Sequence, residues 1–179
     1  MFIAIEIPEG AKRAIVAAIE PWQERFPRTR WIPPENWHVT LKFLGPTGER
    51  LIPWVEERVR AVASTHEPVS VCIDGLGAFP SVGRARVIWA GVDDPAGELS
   101  RIAAGLAAEL ATEFRPEIRP FTPHLTVARS EPPIALPDAY PATPLRSEPF
   151  SVDRLVMFRS NLRRRVPRYE QIDDAPLRG

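Results

Sequence analysis

The chain has 179 residues, with 23 basic and 23 acidic side chains and a formal net charge of +0. That balance gives no global pull toward nucleic acid, so any anion site has to be local. Hydrophobic residues at 44% suffice for a buried core, and the single Cys excludes an intramolecular disulfide and fits a reducing compartment. The start, Met1-Phe2-Ile3-Ala4-Ile5-Glu6, lacks a basic region and meets a charge at once, unlike a signal peptide. No apolar run approaches the roughly 20 residues of a membrane span. A cytoplasmic, monomeric protein without membrane contact is expected, as one domain over 1–179.

Phe2 to Ile7 is short, apolar and β-branched, which predicts a buried strand ended by Pro8. Ile15, Ile19, Trp22 and Phe26 recur at helical spacing and form one apolar stripe, stopped by Pro27. Trp31 to Asn36 is stiff and Pro-bearing and leads into a strand from Trp37 to Leu44, closed by Gly45-Pro46. Ile52, Val55, Val59 and Val62 predict a second helix, with Pro53 tolerated in its first turn. Val69, Val71 and Ile73 alternate with polar neighbours, a half-buried strand. Gly75 to Gly83 is expected as a connection to a strand from Arg84 to Gly91, the pair forming a hairpin. Asp94-Pro95 has the form of an N-cap followed by Pro at N1, opening a helix through Leu99, Ile102, Leu106 and Leu110.

Phe121 to Arg129 is the next strand, and Glu131 to Pro149, rich in Pro, is expected as a long surface loop. Phe150 to Arg159 is expected as one strand. Asn161 to Arg165 is a basic turn, Val166 to Ile172 a final edge strand, and the tail from Asp173 is expected to fray. Helices and strands are mixed rather than strictly alternating, which argues for an α+β fold with mainly antiparallel pairing.

Two of the three His sit in a repeated pattern, His38-Val39-Thr40-Leu41 and His124-Leu125-Thr126-Val127. Strand side chains alternate faces, so each His shares a face with its Thr while the apolar residues point into the core. The repeat lies about half a chain apart, which suggests two pseudo-symmetric lobes, outer helices, and one His-x-Thr strand per lobe lining a central cleft. Two imidazoles and two hydroxyls across a cleft can move protons and hold an oxyanion. A metal site is not expected: zinc takes three or four protein ligands, neither motif has an acidic neighbour, and Cys72 lies in a separate apolar stretch. No cofactor is expected either.

The segment Arg30-Trp31-Ile32-Pro33-Pro34-Glu35-Asn36-Trp37-His38-Val39-Thr40-Leu41-Lys42-Phe43-Leu44-Gly45 resembles the first motif of the 2H phosphoesterases, closest to their RNA 2′,3′-cyclic phosphodiesterase (2′-5′ RNA ligase) branch. Arg119 to Arg129 resembles the second motif, Gly75 to Pro80 with Val87-Ile88-Trp89 the hairpin between, and Phe150 to Leu155 the last core strand. The resemblance implies metal-free opening of a 2′,3′-cyclic phosphate on RNA or a nucleotide to a 2′-phosphomonoester. It implies His124 as base toward water and His38 as acid toward the 3′ oxygen, although the motifs themselves are near-equivalent. Thr40 and Thr126 would donate to non-bridging phosphate oxygens. Other readings remain open at this point: another cyclic phosphate, 2′-5′ linkages including ligation, or a non-catalytic RNA-end binder.

Three further residues are weighed by strand parity. Arg129 matches a phosphate-contacting position of the family, yet it lies five residues after His124, on the wrong face unless a bulge or strand end intervenes. Lys42 shares parity with His38 and Thr40 and could add charge to the cleft. Phe43 resembles a base-stacking aromatic but has core-side parity, which favours packing. Arg163, Arg164, Arg165 and Arg168 could guide an RNA backbone, with a solvated face as the more ordinary role. Nothing is expected of His66.

Overall fold

The structure, a computed structural model, describes residues 1–117, 119–161 and 168–178. The expected basic turn, with Arg163, Arg164 and Arg165, lies outside these residues. Among the described residues there are nine strands: β1 (Phe2–Glu6), β2 (Arg30–Trp31), β3 (His38–Phe43), β4 (Val69–Phe79), β5 (Ala85–Asp93), β6 (His124–Ile134), β7 (Phe150–Val152), β8 (Arg154–Asn161) and β9 (Arg168–Pro176). Three α-helices accompany them: α1 (Glu9–Arg25), α2 (Ile52–Ala63) and α3 (Glu98–Glu109).

The strands run in the order β7-β4-β5-β6-β3-β1-β8-β9, with β2 also paired to β6, and every pairing is antiparallel. The two His-x-Thr strands, β3 and β6, are the central neighbours, with three strands outside each. The α+β reading with mainly antiparallel pairing holds. The halves of the sheet are not halves of the chain, because β1 and β8 pair side by side from opposite ends of the sequence.

The apolar stripe of α1 buries Ala11, Ile15, Ala18 and Ile19. Fully burying an Ile contributes about 1.5–3 kcal/mol, so Ile15 and Ile19 dominate the hold of this helix. In α2 the buried face is Ile52, Val55, Val59 and Val62; in α3 it is Leu99, Ile102, Ala103 and Leu106. α2 packs on α3, and α3 packs behind β3. The apolar partners in the two motifs, Val39, Leu41, Leu125 and Val127, are buried, which leaves His38, Thr40, His124 and Thr126 partly exposed.

Several boundaries differ from the sequence reading. The expected connection from Gly75 continues β4 to Phe79, through a register shift between Ile73 and Leu76 where Gly75 adopts φ +73°. That left-handed backbone is the reason a Gly sits there. Asp94 does cap α3, its carboxylate accepting from the N–H groups of Glu98 and Leu99. The helix nonetheless starts at Glu98, because Asp94 to Gly97 forms a turn first. The expected strand from Phe150 is divided: β7 pairs with β4, whereas β8 pairs with β1. The segment before it is no mere surface loop, since it buries Leu136, Tyr140 and Leu145 and accepts the Trp22 indole N–H on Thr143. The tail does not fray at Asp173; β9 runs to Pro176, and Leu177 is buried.

Candidate active site

Val39 pairs with Leu125 across β3 and β6. In an antiparallel pair, that register puts His38 opposite Thr126 and Thr40 opposite His124. The two His therefore lie on a diagonal, where neighbours are roughly 7–8 Å apart and their Cβ atoms somewhat closer. Both rings and both Thr line the same cleft.

Each imidazole is fixed by its own strand's approach. The Nδ1 of His38 lies 2.9 Å from the carbonyl of Asn36, and the Nδ1 of His124 lies 2.7 Å from the carbonyl of Thr122. A carbonyl only accepts, so Nδ1 carries the proton and Nε2 of each ring presents its lone pair. The indoles of Trp31 and Trp37 donate to the carbonyls of Phe26 and Ile32, which stiffens the segment before β3.

The surroundings of the two rings differ. Phe2 stacks on His38 at 4.5 Å between centroids and Tyr169 meets it edge-on at 5.0 Å. Burial, with a smaller push from the Arg129 charge, brings the His38 pKa down to about 4. His124 instead meets Phe79 at 5.1 Å and Trp89 at 6.3 Å. Trp89 lies over Gly77, where a Cβ would come within 2.2 Å of the indole, so only Gly lets the ring lie flat there.

Each motif also carries a bulge at the same place. Opposite β1, Ala4 pairs with Thr40 and Ile3 with Lys42, which leaves Leu41 unmatched. Opposite β5, Trp89 pairs with Thr126 and Ile88 with Ala128, which leaves Val127 unmatched. The extra residue reverses parity for everything after it. Lys42 is therefore carried off the cleft, contrary to the parity expectation: it is 1% exposed, and its ammonium donates to the Arg115 carbonyl at 3.1 Å and to Glu117 at 2.9 Å. Phe43 is carried onto the cleft, again contrary to parity, and is 64% exposed. Arg129 moves the same way and joins the cleft, through the bulge that the sequence left open.

The cleft has a volume of about 800 Å³. Its lining brings together His38, Thr40, His124, Thr126, Arg129 and Phe43. It also includes Phe2, Arg28, Arg30, Asn36, Ser160 and Tyr169, which the sequence reading did not single out. Arg30 and Asn36 stand inside the first motif and could have been flagged there. Phe2 and Tyr169 arrive through β1 and β9, with no local signal. The backbone of Arg168 lies in β9. His66 faces Glu98 at 3.6 Å, away from the cleft. Among the described residues, no group of three or more His, Cys, Asp or Glu could hold a metal, and no helix is long and apolar enough to cross a membrane.

A curled antiparallel sheet with one His-x-Thr on each of its two central strands is the architecture of the 2H class of phosphoesterases. The family model described as the 2′-5′ RNA ligase superfamily matches residues 11–164. The RNA 2′,3′-cyclic phosphodiesterase of Geobacillus stearothermophilus is 35% identical over 99% of this chain, which spans 57% of that protein's length. The RNA 2′,3′-cyclic phosphodiesterase of Methanothermobacter thermautotrophicus is 35% identical over 74% of this chain and 71% of its own. The crystal structure of TT0787 of Thermus thermophilus superposes with a TM-score of 0.85 at 28% identity, covering 99% of this chain and 97% of that one. The chain belongs to the 2′-5′ RNA ligase superfamily.

Proposed function

We propose that this protein opens a 2′,3′-cyclic phosphate at the end of an RNA or on a nucleotide, and leaves a 2′-phosphomonoester. The observation that carries this reading is the diagonal of two Nδ1-anchored imidazoles, each beside the other motif's Thr. The activity named for the two relatives supports it.

The reaction adds water to phosphorus as the bond from phosphorus to the 3′ oxygen breaks. One Nε2 takes a proton from water, and the other gives a proton to the leaving oxygen. In-line displacement requires these groups on opposite sides of phosphorus, which a diagonal pair provides. An imidazole can both take and give a proton through one nitrogen, which suits it to both tasks. Thr40 and Thr126 donate to the non-bridging oxygens, and Arg129 adds positive charge at the His38 end. We assign the base to His124 and the acid to His38. Burial keeps His38 neutral in the free protein, so it takes up its proton from solvent as the substrate binds, the phosphate charge favouring the protonated ring. Every proton moves through imidazole, with no metal cofactor.

The test is an RNA ending in a 2′,3′-cyclic phosphate, incubated with EDTA. Ring opening with the phosphate left on the 2′ oxygen is expected. No opening, loss of activity to EDTA, or a 3′-phosphate product would overturn the reading. The roles are separated by a substrate whose 3′ leaving atom is sulfur, which departs without an acid. It should restore rate to His38→Ala and not to His124→Ala.

A further inference from the structure

Arg30 on β2 pairs directly with Arg129 on β6. Two like charges directly opposite in an antiparallel pair disfavour folding, since their Cβ atoms lie about 4.5–5.5 Å apart. Natural sheets usually relieve such a pair with a carboxylate. Here, among the described residues, neither Arg makes a salt bridge, nor does Arg28 two residues upstream. All three line the same cleft. Both Arg30 and Arg129 act on the Tyr169 phenol, and their charges pull its pKa down against the burial that raises it. The Arg30 and Arg129 guanidiniums thus lie toward Tyr169, which itself meets His38 edge-on.

In the proposed reaction Arg129 answers the phosphate between the imidazoles, which leaves Arg28 and Arg30 on the cleft lining without an anion. We propose that Arg30 and Arg28, with Arg129 at the border, form a second anion subsite for the phosphate on the 5′ oxygen of the nucleotide that carries the cyclic phosphate. The inference rests on the proposed activity and extends it to a substrate class: a terminal nucleotide that is itself 5′-phosphorylated, as monoester or as the first link of a chain. The planar guanidinium is suited to this, because it offers paired N–H donors to phosphate oxygens.

Three substrates test it: adenosine 2′,3′-cyclic phosphate, its 5′-phosphorylated form, and a diadenosine chain ending in the cyclic phosphate. The second adds a phosphate without a second base, and the third converts that phosphate to a diester. We expect kcat/KM for the 5′-phosphorylated nucleotide to exceed that of the first by about tenfold. The preference should collapse toward one in Arg30→Gln, and further in the Arg28→Gln/Arg30→Gln double variant, and return in part in Arg30→Lys. Equal preference for the monoester and the chain assigns the subsite to phosphate as such, whereas preference for the chain alone overturns it, because the second nucleoside would then carry the gain. A wild-type protein indifferent to the 5′ phosphate, or a preference that survives both substitutions, overturns the subsite. If the wild type opens none of the three, the proposed activity fails; equilibrium binding of adenosine 2′-phosphate against adenosine 2′,5′-bisphosphate then decides the subsite by the same ratio.

Discussion

The two His-x-Thr strands are built alike and furnished differently. Both anchor Nδ1 on the carbonyl two residues earlier, and both insert an unmatched residue three positions after the His. After the bulge the equivalence stops. The residue turned inward is Lys42 in β3 and Ala128 in β6, and the residue turned onto the cleft is Phe43 in one and Arg129 in the other. The bulge fixes which positions face the cleft. The residue type then decides whether a position offers a flat apolar surface or a charge. The shared register places both imidazoles on the cleft, while the two ends of the cleft are lined by different side chains.

The equivalence of the two imidazoles is broken most strongly by removing them. His38→Ala and His124→Ala should each lower kcat by about 10²–10⁴-fold, the usual weight of general acid–base catalysis. A steady-state assay in which either variant keeps full rate would end the paired-imidazole account.

The difference in burial has its own signature. The folded-state pKa of His38, about 4, lies below the ordinary value of 6.5, so the unfolded chain takes up the proton first. The stabilisation is fully present above pH 6.5 and is lost as pH falls from 6.5 to 4, by up to about 3 kcal/mol. Urea denaturation at pH 7 and pH 4 should show this difference in the wild type and a smaller one in His38→Gln. An unchanged difference would mean the ring is not held neutral by burial.

Lys42 and Phe43 sharpen the comparison from either side of one bulge. Lys42→Met should cost about 2 kcal/mol, because the Arg115 carbonyl loses its donor inside the protein, and should leave kcat near wild type. Thermal melts beside activity assays separate the two. Phe43→Ala should do the reverse. Stability should change by less than about 0.5 kcal/mol, as for other exposed positions. KM for a nucleotide should rise about tenfold if its base stacks on the ring. If Lys42→Met lost activity without melting earlier, the ammonium would belong to the cleft after all.

Period-2 alternation was enough to put His38 with Thr40 and His124 with Thr126, because four residues of strand carry that information locally. The helical stripes of α1, α2 and α3 were legible for the same reason, since apolar spacing records a buried face. The motif flanks were long enough to give the family. What alternation could not supply was the bulge, which depends on how β3 and β6 register against β1 and β5. Without it, Lys42 and Phe43 take the wrong faces. Phe2, Tyr169 and the Arg30–Arg129 pair were equally out of reach, because they meet the site only through contacts between distant stretches of chain. Sequence determined that the two His and two Thr share a face, through short-range periodicity. Tertiary structure decided which of their neighbours face the cleft, because one unmatched residue in a ladder reverses every face beyond it.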